Sequence, residues 1–379
     1  MKFSTKAVHA GQEPDPSTGA VMTPVFLTST YAQEGLGKNK GYEYSRVSNP
    51  TRTALEKNIA ALENASEGMA FGSGMAAIDA IFRLLGPGDH VIVTNNVYGG
   101  TYRIAKMVLE RYGLQFDFVN TAEIANVIRA RRPNTKMIFI ETPTNPTMEI
   151  TDLPAIAKFA RAHHLISVVD NTFATPYLQQ PIDMGIDVVV HSVTKYLNGH
   201  SDMLGGMVVT NNHAIAEKLR FSQKAVGGIM SPFDAWLCLR GTKTLAVRMK
   251  KHCESAEVIA KWLSKQKKIV KVNYPGLSTH PQHALAKKQM SGFGGMISFD
   301  LGSMNKAKDF LKRVRLCCLA ESLGGVETLI SHPATMTHGS VPKSERIKNG
   351  VTDGLVRMSV GIEDVEDLID DLNQALKAL

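Results

Sequence analysis

The sequence predicts an α/β fold: one large, mostly parallel sheet covered by helices on both faces, followed by a smaller α+β region. Two observations carry this. Between residues 68 and about 224, short apolar strands alternate with helical stretches, the pattern of a parallel sheet buried on both sides. Past about residue 231 the alternation stops, and a long amphipathic helical stretch leads into shorter strands. The chain divides on this reading into an arm at 1–46, a first domain at 47–230 and a C-terminal domain at 231–379.

The elements follow in order. The arm carries Gly11, Pro14, Pro16, Gly19, Pro24, Gly35, Gly37 and Gly41 and no sustained period. A stretch of that length without its own core needs something to lie on, and a neighbouring subunit is one candidate. Asn49-Pro50 reads as a helix start, with Asn49 as N-cap and Pro50 in the first helical position. Leu55, Ile59 and Leu62 then repeat at helical spacing, and Gly68–Phe71 is a short strand. Gly72-Ser73-Gly74 turns the chain into a second helix with Met75, Ile78, Phe82 and Leu85 on one side. Strands are expected at 91–94, 115–119, 137–141, 166–170, 188–191 and 207–210, with helices at 101–112, 123–131, 153–164 and 214–224. Beyond them come helices at 233–240 and 245–265, strands at 270–274 and 296–301, and a helix at 307–313. A Ser-, Gly- and Pro-rich segment precedes a strand at 355–360 and a last helix at 365–376.

Composition narrows the partners. With 44% hydrophobic and 21% charged residues among 379, the chain is an ordinary globular protein. Its 43 basic and 35 acidic residues leave a formal charge of +8. The densest basic groups, Arg129/Arg131/Arg132, Arg248/Lys250/Lys251 and Lys265/Lys267/Lys268, are not interleaved with aromatics as a nucleic-acid platform would be. Solvated helix faces explain them, and anionic small molecules suit the charge, so no nucleic-acid partner is expected. No apolar run approaches the roughly 18 residues of a membrane span, and MKFSTKAVHAG has no apolar signal core. Cys238, Cys253, Cys317 and Cys318 show no zinc-like spacing and read as reduced thiols, so a cytoplasmic location is expected. His280 and His283 lack an acidic or cysteine partner, and no metal is expected.

The chemistry lies at strand ends. Gly72–Ala77 fits G-x-G-x-x-G/A, which raises a nicotinamide enzyme. However, the hexapeptide comes 72 residues in, and the next strand ends in Thr94-Asn95-Asn96 without an acid for a ribose hydroxyl. What survives is a glycine turn opening a helix, whose free N–H groups suit a single phosphate. Tyr98 follows one strand, and Asp170 ends another. Lys195 lies 25 residues after Asp170, just past Val188–His191, with Ser192 and Thr194 beside it. Each alone has a plainer reading: a surface tyrosine, a turn-capping carboxylate, a solvated lysine. Together they supply what pyridoxal 5′-phosphate requires, namely a Schiff-base lysine, an acid for the pyridine nitrogen, a ring to stack and a phosphate cradle.

The stretches YEYSRVSNPTR (42–52), YGGTYR (98–103), ETPTNP (141–146), VDNTFATP (169–176), SVTKYLNGHSD (192–202), AESLGGVETL (320–329) and LVRMSVGIED (355–364) resemble those of the cystathionine γ-lyase/γ-synthase group. These are the PLP-dependent enzymes of Cys/Met metabolism, and the likeness runs over essentially the whole chain. It implies an aspartate-aminotransferase-like fold of type I, with a large α/β/α domain, a smaller C-terminal α+β domain and an N-terminal arm. It implies that Lys195 holds the cofactor and moves protons, that Asp170 pairs with the ring nitrogen, and that Tyr98 and Thr172 cover the two ring faces. Gly74, Met75, Ser192 and Thr194 would hold the phosphate, joined by Tyr44 and Arg46 from a neighbouring subunit. Arg357 would clamp the substrate carboxylate, with Asn145 and Ser322 nearby, and Arg103 and Glu321 would line the distal end. The implied assembly is a homotetramer, a dimer of dimers with shared active sites.

The activity implied is α,γ-elimination of cystathionine, with γ-synthase as the alternative; methionine γ-lyase and a nicotinamide dehydrogenase are weaker. The stretches at 231–252 and 274–289 are more similar to γ-lyases than to γ-synthases. Gly100 stands where methionine γ-lyases are expected to carry cysteine, and Leu323 where β-lyases tend to carry tryptophan. Val47 departs from the small residue usual after Tyr44-Ser45-Arg46.

Overall fold

The structure, a computed structural model, describes residues 1–379 except Ser340. Seven strands make the first sheet: β1 (Glu67–Phe71), β2 (His90–Thr94), β3 (Gln115–Val119), β4 (Thr135–Glu141), β5 (Ile166–Asp170), β6 (Val188–Ser192) and β7 (Gly206–Thr210). Their spatial order is β1-β7-β6-β5-β4-β2-β3. Strands β2 to β6 pair in parallel, while β7 runs antiparallel to both β6 and β1. The reversal has a local cause. The β6–β7 connection, residues 193–205, contains no helix, so the chain turns directly back instead of crossing over. That connection carries Lys195.

Both faces of this sheet are buried, as the apolar runs require. Val91, Val93, Val168, Val188, Val190 and Val208 pack on one face. Ile92, Ile138, Ile140, Val169, Val189 and Val209 pack on the other. Alternate residues of a strand point to opposite faces, so Val188-Val189-Val190 feeds both cores.

Three N-terminal helices can be justified residue by residue: α1 (Phe3–His9), α2 (Pro50–Leu62) and α3 (Gly74–Phe82). Asn49 caps α2 as expected, accepting from the N–H groups of Thr51 and Arg52 at 3.0 and 3.4 Å. The helix α1 is a finding, because no period marked the arm. Its Ala7 is fully buried in the core that also holds Leu55 and Ile59 of α2, and Asn58 Nδ2 donates to Ala10 O at 2.9 Å. Phe3, Ala7 and Ala10 share one helical face, but three positions are too few to register as a period.

The second sheet has the order β10-β11-β12-β9-β8: β8 (Lys271–Asn273), β9 (Met296–Asp300), β10 (Cys318–Leu319), β11 (Leu329–Ser331) and β12 (Leu355–Ser359). All pairs but β10–β11 are antiparallel. The sequence pattern missed β10 and β11, of two and three residues, and the short helices His283–Gln289 and Lys343–Lys348. It also expected one helix over 101–112, where the chain runs as an α-turn (Gly99–Arg103), a π-turn (Ile104–Val108) and a 3-10 turn (Leu109–Tyr112). The apolar core ignores the boundary at residue 231: Cys238, Leu239, Leu245 and Met249 join Met230, Leu55 and Ile59 in one cluster.

Candidate active site

The C-terminal ends of β2, β4, β5 and β6 open on one edge of the sheet, where an α/β fold places its ligands. The strand β1 ends on the same edge and leads into α3. Ser73 caps α3 by accepting the Ala76 N–H at 3.1 Å, which leaves the first-turn N–H groups of Gly74 and Met75 facing a cavity they line. Gly74 fits closely there: a Cβ would lie 3.0 Å from that of Ser192. Ser192 and Thr194 line the same end. The Ser192 N–H donates to Thr172 Oγ1 at 2.9 Å, and the Gly205 N–H to Thr194 Oγ1 at 2.9 Å, so two cross-loop bonds fix the strand end.

Asp170 ends β5 and is buried, and Oδ1 accepts the Thr172 N–H at 3.0 Å. Burial pushes its carboxyl up, against that hydrogen bond and the nearby His191. His191 is buried behind it, its Nε2 2.6 Å from Glu63 Oε1.

Lys195 Nζ donates to Ser322 Oγ at 2.6 Å. Burial pushes the amine down to about 8, assisted by the Arg357 charge and opposed by Glu321. Ser322 holds φ +89°, a region sparsely populated by residues with a Cβ. From there its carbonyl accepts Arg357 Nη2 at 2.8 Å, and Arg357 Nη1 donates to Asn145 Oδ1 at 3.0 Å. The guanidinium is thus held in a fixed plane at the cavity wall, buried, its pKa pushed down to about 10 by that burial. His338 braces Asn145 from behind, with Nε2 3.1 Å from Asn145 O.

The structure therefore brings Gly74, Met75, Tyr98, Asn145, Asp170 and Thr172 into one cavity with Ser192, Thr194, Lys195, Glu321, Ser322 and Arg357. Three expected residues do not line it. Arg103 stands one helical turn past Tyr98. Arg46 donates from Nη1 to Lys224 O at 2.7 Å and lies 5.4 Å from the ring of Tyr44, which is exposed. Lining residues not singled out from sequence include Thr337, Glu141, Phe173 and Leu204. Thr337 comes from a loop with no local signal. Glu141 ends β4 as Asp170 ends β5, so the same strand-end logic could have found it.

Residues 4–377 match the family described as Cys/Met metabolism PLP-dependent enzyme. The chain belongs to that family. Relatives bearing the names cystathionine β-lyase, γ-lyase and γ-synthase all match over nearly its whole length. A cystathionine β-lyase of Coxiella burnetii is 54% identical, covering 99% of this chain and 97% of that one. A cystathionine γ-lyase of Bacillus subtilis is 52% identical, covering 100% of both. The crystal structure of metB from Corynebacterium glutamicum superposes with a TM-score of 0.97 at 51% identity, covering 100% of this chain and 98% of that one. This PLP-dependent enzyme thus has the α/β architecture expected of it, and the nicotinamide reading of Gly72–Ala77 is set aside.

The residues present fit pyridoxal phosphate. A buried carboxylate with one N–H donor on it, Asp170, is suited to a cationic ring nitrogen. The α3 N-terminus with Ser192 suits the phosphate. Lys195, neutral near pH 8, suits the aldehyde.

Proposed function

We propose that this PLP-dependent enzyme is a cystathionine γ-lyase: L-cystathionine and water give L-cysteine, 2-oxobutanoate and ammonia. The observation that carries the reading is the linkage of Lys195 to Arg357 through Ser322, whose hydroxyl and carbonyl touch one each. A substrate α-carboxylate on Arg357 has its Cα and Cβ within reach of the lysine amine.

Bound at Lys195, pyridoxal phosphate supplies an aldehyde for the substrate amino group and a ring that draws electrons from Cα. The protein's part is binding and proton transfer. Arg357 forms two parallel hydrogen bonds to the carboxylate. Displaced from the cofactor, Lys195 would take a proton at Nζ from Cα and, after giving it up to the cofactor and not back to Cα, would take another from Cβ. That second removal is what lets the γ-sulfur leave as cysteine thiol. Its pKa of about 8 leaves an appreciable neutral fraction at neutral pH. Asp170 keeps the ring nitrogen charged, Tyr98 covers one ring face and Thr172 the other. Gly74, Met75, Ser192 and Thr194 hold the phosphate, while Asn145, Arg103 and Glu321 set the substrate's orientation and distal end.

The arm belongs to the same reading. Tyr44 and Arg46 lie outside their own chain's cavity, consistent with reaching a neighbour's phosphate in a homotetramer of two site-sharing dimers. The four cysteines carry free thiols, which accords with a cytoplasmic enzyme. Leu323 lines the cavity where a tryptophan would be expected in a β-lyase, which favours γ-cleavage.

One assay separates the readings. The purified enzyme is given cystathionine alone, then an O-acylhomoserine with cysteine. Cysteine and 2-oxobutanoate from the first are expected. Homocysteine and pyruvate would make it a β-lyase, and turnover of the second pair only, to cystathionine, would make it a γ-synthase.

A further inference from the structure

Glu141 lines the cavity, and nothing so far gives it a role. Strands β4 and β5 pair in parallel with Glu141 opposite Asp170, so two buried carboxyls end neighbouring strands and line one cavity. Like charges so placed cannot both ionise at low cost. We propose that Glu141 is a positioning residue for Tyr98, acting as a neutral carboxylic acid that keeps the proton of the pair while its Oε2 accepts the Tyr98 backbone N–H.

The division of the proton follows from the neighbours. Asp170 faces the site of a cationic ring nitrogen, a placement that rests on the PLP reading above. On Glu141 the Arg357 charge acts in the lowering sense, but burial and the Asp170 charge outweigh it. Arg357, from β12, directs Nη1 to Asn145 and Nη2 to Ser322 instead. His338, beside Asn145, is held neutral, its pKa pushed down to about 4 by burial. On the remaining side Glu141 meets the N–H groups of Tyr98 and Asn145. Burial, then the Asp170 charge, push the Glu141 carboxyl well above its usual range.

The contact matters because of what it fixes. Tyr98 precedes the Gly99–Arg103 helix, and its N–H lies outside the helical ladder. Glu141 accepts it at 2.7 Å. On the other side, Gly99 approaches Thr337 O so closely that a Cβ would sit 2.3 Å away. The turn is clamped between β4 and the Thr337 loop, and the Tyr98 ring projects over the cavity from it.

The test uses the cofactor-free protein titrated with pyridoxal phosphate by absorbance, between about pH 6 and 9. Glu141→Gln keeps a neutral oxygen acceptor, and its affinity is expected within about twofold of the parent at each pH. Glu141→Leu strands the Tyr98 N–H, and affinity falls about tenfold or more. In Glu141→Leu combined with Tyr98→Ala, the loss is no greater than with Tyr98→Ala alone, because the first acts through the second. If Glu141→Leu does not fold, Glu141→Asp, with its carboxyl drawn back one methylene, takes its place in the cycle. Loss in Glu141→Gln equal to that in Glu141→Leu overturns the proposal, since the charge would then be needed. So does a fully additive double variant. Failure of the parent protein to bind the cofactor would instead sink the PLP reading, so the two failures are distinct.

Discussion

Lys195 Nζ and Ser322 Oγ meet at 2.6 Å, although 127 positions separate them in the chain. Lys195 follows β6 of the first sheet, and Ser322 lies in the β10–β11 loop of the second. Burial, then the Arg357 charge, lower the amine's pKa to about 8, and the neighbouring Glu321 carboxylate opposes them.

Capture of pyridoxal phosphate by the cofactor-free protein needs the neutral amine. Its rate is expected to rise with pH and level off with a midpoint near 8, not near the 10.5 of an ordinary lysine. Glu321→Gln removes the charge that holds the amine's pKa up and moves the midpoint lower. Stopped-flow absorbance measures both, and a midpoint in Glu321→Gln that is unmoved or higher contradicts the account.

Arg357 uses two separate nitrogens, on Asn145 Oδ1 and Ser322 O. A lysine offers one nitrogen and no fixed plane. For Arg357→Lys, KM for the amino-acid substrate should rise by about a hundredfold while kcat falls less than tenfold. Steady-state kinetics decide it; an unchanged KM would remove Arg357 from the carboxylate site.

The arm is tested by Arg46→Ala. On its own chain Arg46 donates to a carbonyl, Lys224 O, and lies over the Tyr44 ring. Loss of a phosphate contact to a neighbour should weaken cofactor binding about tenfold, with the oligomer intact on gel filtration. Full affinity in a full-sized oligomer would end the cross-subunit assignment.

Buried His252 should tie stability to pH. Burial pushes its pKa from 6.5 to about 4, and Nδ1 lies 2.7 Å from Val360 O. The folded state keeps it neutral where the unfolded state takes up a proton. Its contribution is therefore intact above pH 6.5 and lost progressively as pH falls to about 4. His252→Phe keeps a ring edge-on to Tyr196, now 5.1 Å away, and removes the titration. Its stability, by urea unfolding, should fall less steeply over that window, by up to about 1.4 kcal/mol per pH unit. Equal slopes would mean that His252 is already protonated when folded.

Much of the sheet was legible because β-branched runs such as Val188-Val189-Val190 have few alternatives to a buried strand. Asn49-Pro50 fixed a helix start by local hydrogen bonding. Elements of two or three residues, β10 and β11, were not legible, because a period needs more positions to show itself. The helix α1 was hidden for the same reason, and its stability comes from Ala7 packing beside α2. That Lys195 and Asp170 meet at one cavity was legible from strand-end placement. Glu141 obeys the same rule, yet its meaning depends on the β4–β5 register, which places it beside Asp170.

The sequence by itself determined the order of the longer strands and helices, the residues at the strand ends and the cofactor they suit. Those follow from local preference and residue type. Tertiary structure decided which groups touch: Ser322 on Lys195, and Asn145 on Arg357 across 212 positions. It decided their protonation as well, since a pKa depends on burial and on charges brought near by folding.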